Sequence, residues 1–483
     1  MAEGRGLPEG TVLRKPAHPG AAPSTLGRAR AALAVLFPEA LETGGSGRRI
    51  ASVVIQVAAV CAGAVVLLLR IGGIPAWESV YAEDQGVFLY DALARPWHLL
   101  TPYGGYEELM PRLIGQLVSY LPLADAAVPF ALAGGVIAAL CGLLIYHALE
   151  GWVRSPWMRA LAGVALILLP LAPYDIAGNS VNSPWYAMAA LPFALLWRPK
   201  GWPGMTAAAL VAFAATSSEM LAIVCAPLVL LRIIALPRWR EQAVTAGWLA
   251  GLLVQVPVVL ESYAQHTQRI QKLGTPSQVA GYYVHGVLLR ALGRQVSLRL
   301  TEAVGFNGAT VIVSAIVIAG LAWVVISGNR QVRVFAAFAV LMGLAEVILA
   351  EVVAPARIDS TIVIYTGRYT TLPIIAFTIT GVVAVDAYLQ RQARGSGEQG
   401  AEDPARTPFI RLTPRGITAL AVLLCLLAVG WIPDYRYARG SWGYWKPKAE
   451  HLLTACDHST SGEITTPAWK GKPITLPCDN LRR

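Results

Sequence analysis

Charge is scarce in this 483-residue chain: Asp, Glu, Lys and Arg together make up 14% of it, against 55% apolar residues. A soluble domain carries about 25% charged residues, so a solvated globular surface around a core of this size is excluded. Runs of about 20 apolar residues recur instead, each the length of a membrane-crossing helix. Several chemical signatures are also missing. There is no glycine-rich phosphate loop, no dinucleotide fingerprint, no HExxH and no serine nucleophile elbow. Their absence removes support for nucleotide-driven transport, for nucleotide-sugar donors held in a soluble domain and for zinc proteolysis. Histidines number seven and form no cluster beside acids; His98 is the one nearest to them. The metal question is therefore unassigned, with a divalent cation left open and no other cofactor implied.

The apolar runs predict an all-α polytopic membrane protein of about eleven spans. They lie near 50–70, 126–149, 159–174, 184–198, 205–217, 220–235, 242–262, 308–328, 332–353, 369–388 and 416–432. The stretch 206–236 is too long for one straight span and divides at Thr216-Ser217-Ser218-Glu219 into two short helices. Residues 1–49 hold Arg14, Lys15, Arg28, Arg30, Arg48 and Arg49 without a spanning run, and read as a disordered basic arm. The formal charge of +10 needs no nucleic acid, because the basic residues sit in short connectors. Arg154 and Arg159, Arg198 and Lys200, Arg238 and Arg240, Arg330 and Arg333, and five Arg between 391 and 415 all fall on one side of the alternation. That side is cytoplasmic by the positive-inside rule. The expected location is the plasma membrane, multi-pass, with the N-terminus cytoplasmic and the C-terminus outside.

The same alternation places a first outer loop at 71–125, a second at 263–306, a cytoplasmic linker at 389–415 and a short outer cap at 433–483. Four of the six cysteines lie in apolar runs. Cys456 and Cys478 lie in the polar cap, on the oxidising side, and are expected to form a disulfide. Trp442, Tyr444 and Trp445 at the start of that cap suit a membrane interface.

The first outer loop holds the acids Glu83, Asp84, Asp91, Glu107 and Glu108. The segment DQGVFLYDALA predicts a short helix from Asp84, ended by Arg95-Pro96, with Asp84, Phe88 and Asp91 on one face. Asp91 is also placed to pair with Arg95. A second helix begins at Glu107 and Glu108. Its residues Leu109, Leu113, Leu117 and Tyr120 recur at helical spacing, so it can lie along the membrane surface. Acids at a helix start need no further role, and an acidic pair in a loop is commonly just solvated. Near a membrane, however, a carboxylate can take the proton of an attacking hydroxyl, while arginine suits a leaving phosphate. The candidate phosphate partners are Arg368, Arg112 and Arg357.

Other polar positions have two readings. Glu219 is either a functional acid within a split span or a surface acid between two short helices. Asn182 and Trp185 either contact sugar or mark a span boundary. In the loop 263–306, His266 and several basic residues accompany VHGVLLRALGRQVSLRL, which predicts an amphipathic helix facing anionic lipid or a carrier phosphate.

The motifs AED at 82–84, PYGGY at 102–106, PRL at 111–113, GRYTTLP at 367–373 and the closing LPC at 476–478 resemble those of integral-membrane glycosyltransferases of the GT-C superfamily. The likeness is greatest to actinobacterial multispanning members without an assigned substrate. In layout it covers about residues 50–480. The resemblance implies a polyprenyl-phosphate-linked sugar donor, an extracytoplasmic glycan, lipid or protein acceptor, and a catalytic base in the first outer loop. The matching positions are Asp84 and Glu83, with Asp84 preferred. Arg368, Tyr369, Arg112 and Arg357 would serve the donor phosphate. Asp91, Tyr103, Tyr106, Glu107, Asn182, Trp185, Glu219 and His266 are candidates for substrate contact. The rival expectations are a transporter or flippase of lipid-linked sugar and a non-catalytic assembly partner. A transporter should show repeated broken helices, and the sequence has one split span and no internal repeat.

Overall fold

The computed structural model describes residues 25–39, 48–170, 175–265, 275–353, 367–395, 413–439, 443–467 and 473–482. After α1 (Thr25–Leu33) comes the first long helix, α2 (Arg48–Leu69). The acidic segment that follows carries α3 (Tyr90–Ala94) and α4 (Leu109–Val118). The chain continues through α5 (Ala127–Ala148), α6 (Pro156–Ile167), α7 (Ser183–Leu196), α8 (Trp202–Ser218), α9 (Ala226–Ala235) and α10 (Ala243–Ala264). Beyond α11 (Pro276–Tyr282) lie α12 (Arg294–Ser327), α13 (Arg330–Val353), α14 (Thr371–Gly395) and α15 (Pro414–Trp431). The cap holds α16 (Trp445–Asp457) and α17 (Cys478–Leu481). Among the described residues there are also two small sheets: β1 (Ile71–Gly73) pairs in parallel with β2 (Tyr437–Arg439), and β3 (Glu463–Pro467) is antiparallel to β4 (Pro473–Pro477).

Among the described residues seven segments are long and apolar enough to cross a bilayer: Ala51–Leu69, Leu123–Gly151, Trp239–Ala264, Arg294–Ser327, Arg330–Leu349, Arg368–Ala393 and Pro414–Trp431. The other four of the roughly eleven expected passages are shorter apolar helices. At 159–174, 184–198, 205–217 and 220–235 the helices are shorter, with 12 residues in α6, 14 in α7, 17 in α8 and 10 in α9 after a 3-10 stretch at Met220–Cys225. The reason is clearest in α7, where every side chain from Ser183 to Leu196 is buried by protein. A helix without lipid contact is not bound to the thickness of the hydrocarbon, so 14 residues, about 21 Å at 1.5 Å per residue, suffice.

Buried ionic groups sort the helix ends into two sets. Arg70 is fully buried and donates to the carbonyls of Ile167, Leu169, Asp434 and Tyr435, tying the end of α2 to the ends of α6 and α15. Asp434 in turn accepts from the amides of Arg294 and Gln295 at the start of α12. In the other set, Arg232 donates to the carbonyls of Leu195, Trp197 and Glu241, beyond the end of α7. Asp386 there accepts from Arg154 and Ser155 at the start of α6. Each device meets the orphan groups of a helix end with a charge of the matching sign. The acidic segment belongs to the first end, while Arg154, Arg159, Arg198 and Arg391 belong to the second.

Several expectations change. Part of the arm at 1–49 is folded: Phe37 is 2% exposed beneath the Arg232 guanidinium, Arg30 donates to the Ile234 carbonyl at 3.2 Å, and Glu39 pairs with Arg198 at 2.8 Å. The helix expected through VHGVLLRALGRQVSLRL is broken. A π turn at Tyr283–Leu288 leads to Gly293, whose φ of 93° only glycine adopts at low cost, and α12 starts after it. Trp445 is no interface anchor; it is 1% exposed and donates to the Leu123 carbonyl at 2.6 Å, which seats the cap on the acidic segment. Cys456 and Cys478 form the expected disulfide, with Cα atoms 5.5 Å apart. Trp442 lies outside the described residues.

Candidate active site

The first acids sit on an unusual turn. Asp84–Leu89 is a π helix running into α3, and its i→i+5 bonding takes one more residue per turn than an α-helix. The face expected to unite Asp84, Phe88 and Asp91 is thereby split. Asp84 is fully buried, and its carboxylate accepts from the Ser180 amide at 2.9 Å, the Ser180 hydroxyl at 2.6 Å and the Val181 amide at 2.8 Å. Burial pushes its carboxyl up to about 7; these three donors pull the other way, and the charge of Glu83 adds to the rise. Asp91 turns elsewhere, to Arg95 at 3.3 Å and Arg112 at 3.2 Å. The turn is held from behind by α4: a Cβ at Gly115 would come within 2.8 Å of the Phe88 carbonyl oxygen.

The loop that Asp84 grips runs from Asp175 to Ser183. It is knitted by its own side chains, with Asn179 and Asn182 donating to the Asp175 carbonyl at 2.8 and 3.0 Å and the Asn182 amide donating to Asn179 Oδ1 at 2.9 Å. Tyr81 donates to the Asp175 carboxylate at 2.9 Å. Arg368 meets the same loop. Its guanidinium donates to Asn182 Oδ1 at 3.4 Å, lies 4.0 Å from the Asp175 carboxylate and covers the ring of Tyr369 at 5.3 Å. Tyr369 stands edge-on to Trp185, ring centroids 5.1 Å apart. Trp185 is 4% exposed and belongs to the wall of the site rather than to a membrane interface.

A second group of acids closes on Arg368 from the start of α4. Tyr106 donates to Glu108 at 3.1 Å, and a backbone bridge between Tyr103 and Tyr106 forms the turn before them. Tyr103 packs edge-on against Phe88 at 5.8 Å. Glu107 is fully buried, 3.4 Å from Arg112, and its backbone is clamped by Gln255 of α10, which accepts from its amide at 3.0 Å and donates to its carbonyl at 2.9 Å. Burial lifts the Glu107 carboxyl to about 8, against the pull of the Arg112 guanidinium. Glu108 is raised well above the usual range, by burial first and by the Glu219 carboxylate second, with Arg368 opposing. Glu219, 3% exposed, caps the Met220–Cys225 turn by accepting from the Leu221 amide at 3.1 Å. The position where α8 breaks thus faces this site, so the surface reading of Glu219 is set aside.

The result is one guanidinium, Arg368, within electrostatic reach of Glu83, Asp175, Glu108, Glu219 and the Tyr106 phenol. Arg112 is committed to Asp91 and Glu107, which positions these acids. Arg357 and His266 lie outside the described residues. Among the described residues no group of three or more His, Cys, Asp or Glu is arranged to hold a metal ion. Sequence reasoning missed Ser180, Asp175 and Gln255. The last had a signal, being an amide in the middle of an apolar span.

On α4, Leu113 and Leu117 are 36% and 64% exposed, and Tyr120 in the turn after it is 46% exposed, so an apolar stripe borders the site. The arrangement can polarise a hydroxyl near Glu83 and hold an anionic oxygen near Arg368, beside that apolar stripe.

No family model and no curated protein matches the chain. Among solved structures it is similar to the arabinofuranosyltransferase AftD from Mycobacteria, with 17% identity and a TM-score of 0.46 over 92% of this chain and 33% of that one. It is also similar to ArnT from Cupriavidus metallidurans in the apo state, with 15% identity and a TM-score of 0.40 over 80% of this chain and 74% of that one. The chain therefore spans about a third of the length of the AftD chain.

Proposed function

We propose that the protein is a membrane glycosyltransferase that moves a sugar from a polyprenyl phosphate to an extracytoplasmic acceptor by single displacement. The observation that supports this reading is the fastening of the acidic turn and Arg368 to one loop, beside a lipid-facing helix. Glu83, rather than Asp84, is the better base. Asp84 has its oxygens occupied by Ser180 and Val181 in a fully buried position, whereas Glu83 is half-buried and acts electrostatically on Arg368.

In the displacement, Glu83 takes the proton of the acceptor hydroxyl as that oxygen forms a bond to the anomeric carbon. The bond from that carbon to the phosphate oxygen breaks, and the phosphate leaves with the electron pair. Arg368 offsets the charge that gathers on the phosphate, with multi-donor contact that a planar guanidinium provides. Tyr369 and Trp185 form the aromatic wall beside the sugar. Asp84 keeps the 175–183 loop, and through it Arg368, in place.

The test uses membranes carrying wild type, Glu83→Gln or Asp84→Asn, supplied with polyprenyl-phosphate-linked pentoses or hexoses and envelope acceptors. Loss of transfer in Glu83→Gln with donor binding retained supports an enzyme over a transporter. Unchanged transfer by Glu83→Gln overturns the assignment of the base. Donor bound and carried across the membrane by wild type without any transfer overturns the enzyme.

A further inference from the structure

At the end of the bundle away from the acidic segment, a cavity of about 340 Å³ lies between the turn after α5, the start of α13 and the last turns of α14. Its lining includes Arg154, Asn329, Gln331, Gln390 and Arg391. The charges around it do not cancel. The lining carboxylate Glu150 is already engaged, by Arg159 at 3.2 Å and by His147 at 2.9 Å. Asp386, fully buried, is taken up by the amides of Arg154 and Ser155 and by Gln390. Arg391 gives one N–H to the Ser327 carbonyl at 2.6 Å, and the Arg154 side chain is exposed. Among the described residues no carboxylate pairs with either guanidinium.

Two more features define the ligand, the first by adding to the positive potential and the second by offering apolar surface. The 24-residue helix α13 begins at Arg330, so its N-terminal dipole lies at this wall beside the lining residues Asn329 and Gln331. Just before it, the end of α12 presents Val325 and Ile326, 52% and 79% exposed, as a surface for an acyl chain.

We propose that this cavity binds the phosphate headgroup of an anionic phospholipid between Arg154 and Arg391, with its chains along the end of α12. A zwitterionic lipid fits less well, because no uncommitted carboxylate stands ready for its ammonium group. The proposal is independent of the sugar-transfer reading and of any activity assay.

The test is native mass spectrometry and thermal unfolding of the full chain in dodecyl maltoside, with phosphatidylglycerol, phosphatidylcholine or sodium phosphate added. Wild type should retain phosphatidylglycerol at about tenfold lower lipid concentration than phosphatidylcholine, in keeping with charge-assisted contacts to phosphate. Arg154→Ala with Arg391→Ala should abolish that preference. If the double variant aggregates, Arg154→Ala and Gln331→Glu, each of which leaves the Ser327 contact intact, should weaken retention. Equal preference in wild type and these variants overturns the site. Full stabilisation by sodium phosphate alone overturns the lipid and assigns the cavity to a free anion.

Discussion

Asp84 and Arg368 fasten the same loop: the first accepts the amides of Ser180 and Val181, and the second donates to Asn182 at 3.4 Å. The two adjacent acids of the turn therefore have separable roles. Asp84→Asn turns an amide nitrogen toward backbone donors and should cost about 1–3 kcal/mol of stability, the range for leaving buried polar groups unmet. Glu83→Gln, half-buried, should stay within about 0.5 kcal/mol of wild type while losing transfer. Thermal unfolding and sugar transfer measured on the same preparations check the split. Equal destabilisation by both substitutions contradicts it.

Arg368→Lys keeps the charge and loses the fork. The guanidinium now meets Asn182, Asp175 and the face of Tyr369 at once, and a single ammonium cannot reproduce that set. The rate constant for transfer should fall by about 10²–10³-fold, the range for removing one oriented donor from a developing anion. An unchanged rate with weaker donor binding would instead assign Arg368 to ground-state recognition.

Two acids of the acidic segment set a pH dependence of stability. Burial raises the Asp84 carboxyl to about 7 and that of Glu107 to about 8 in the folded chain. A raised folded value means that the native state binds the proton more tightly than the unfolded state, so the contribution is complete below the unfolded values near 4 and is lost as pH rises to about 8. Thermal stability in detergent should fall across that window. Glu107→Gln should flatten the slope, and an unchanged slope would show that Glu107 does not titrate there.

The apolar runs made the helices legible, and the basic connectors made their alternation legible, because both are signals carried by composition over many residues. Helix length was not. The brevity of α7 follows from its burial by neighbours on every side, which no periodicity in Ser183–Leu196 announces. The pairing of Cys456 with Cys478 was readable from sidedness. The roles of Arg70 and Arg232 were not, since each looks like an ordinary basic residue near the end of an apolar run, yet each is buried on helix carbonyls. At the candidate site, the acids and Arg368 were named from residue type and position alone, whereas the proposed preference for Glu83 over Asp84 had no signal in the sequence. That order depends on the π turn at Asp84–Leu89 and on which side chain meets Ser180.

Glu346 offers a final contrast with these satisfied groups. It lies on α13, is fully buried, and neither carboxylate oxygen has a hydrogen-bond partner among the described residues. The buried acid Glu219 is within electrostatic reach of it, and that charge has the wrong sign to stabilise a carboxylate. Burying an ionisable group without a partner in a spanning helix is costly, and an amide of the same shape lowers that cost. Glu346→Gln should leave the unfolding temperature unchanged or raise it. The same substitution at Glu107, which has Arg112 at 3.4 Å, should lower it most at acidic pH and least near pH 8, where the native carboxyl has given up its proton. Thermal unfolding of both variants beside wild type decides the matter. A marked loss of stability in Glu346→Gln would show that α13 depends on the acid itself at this position.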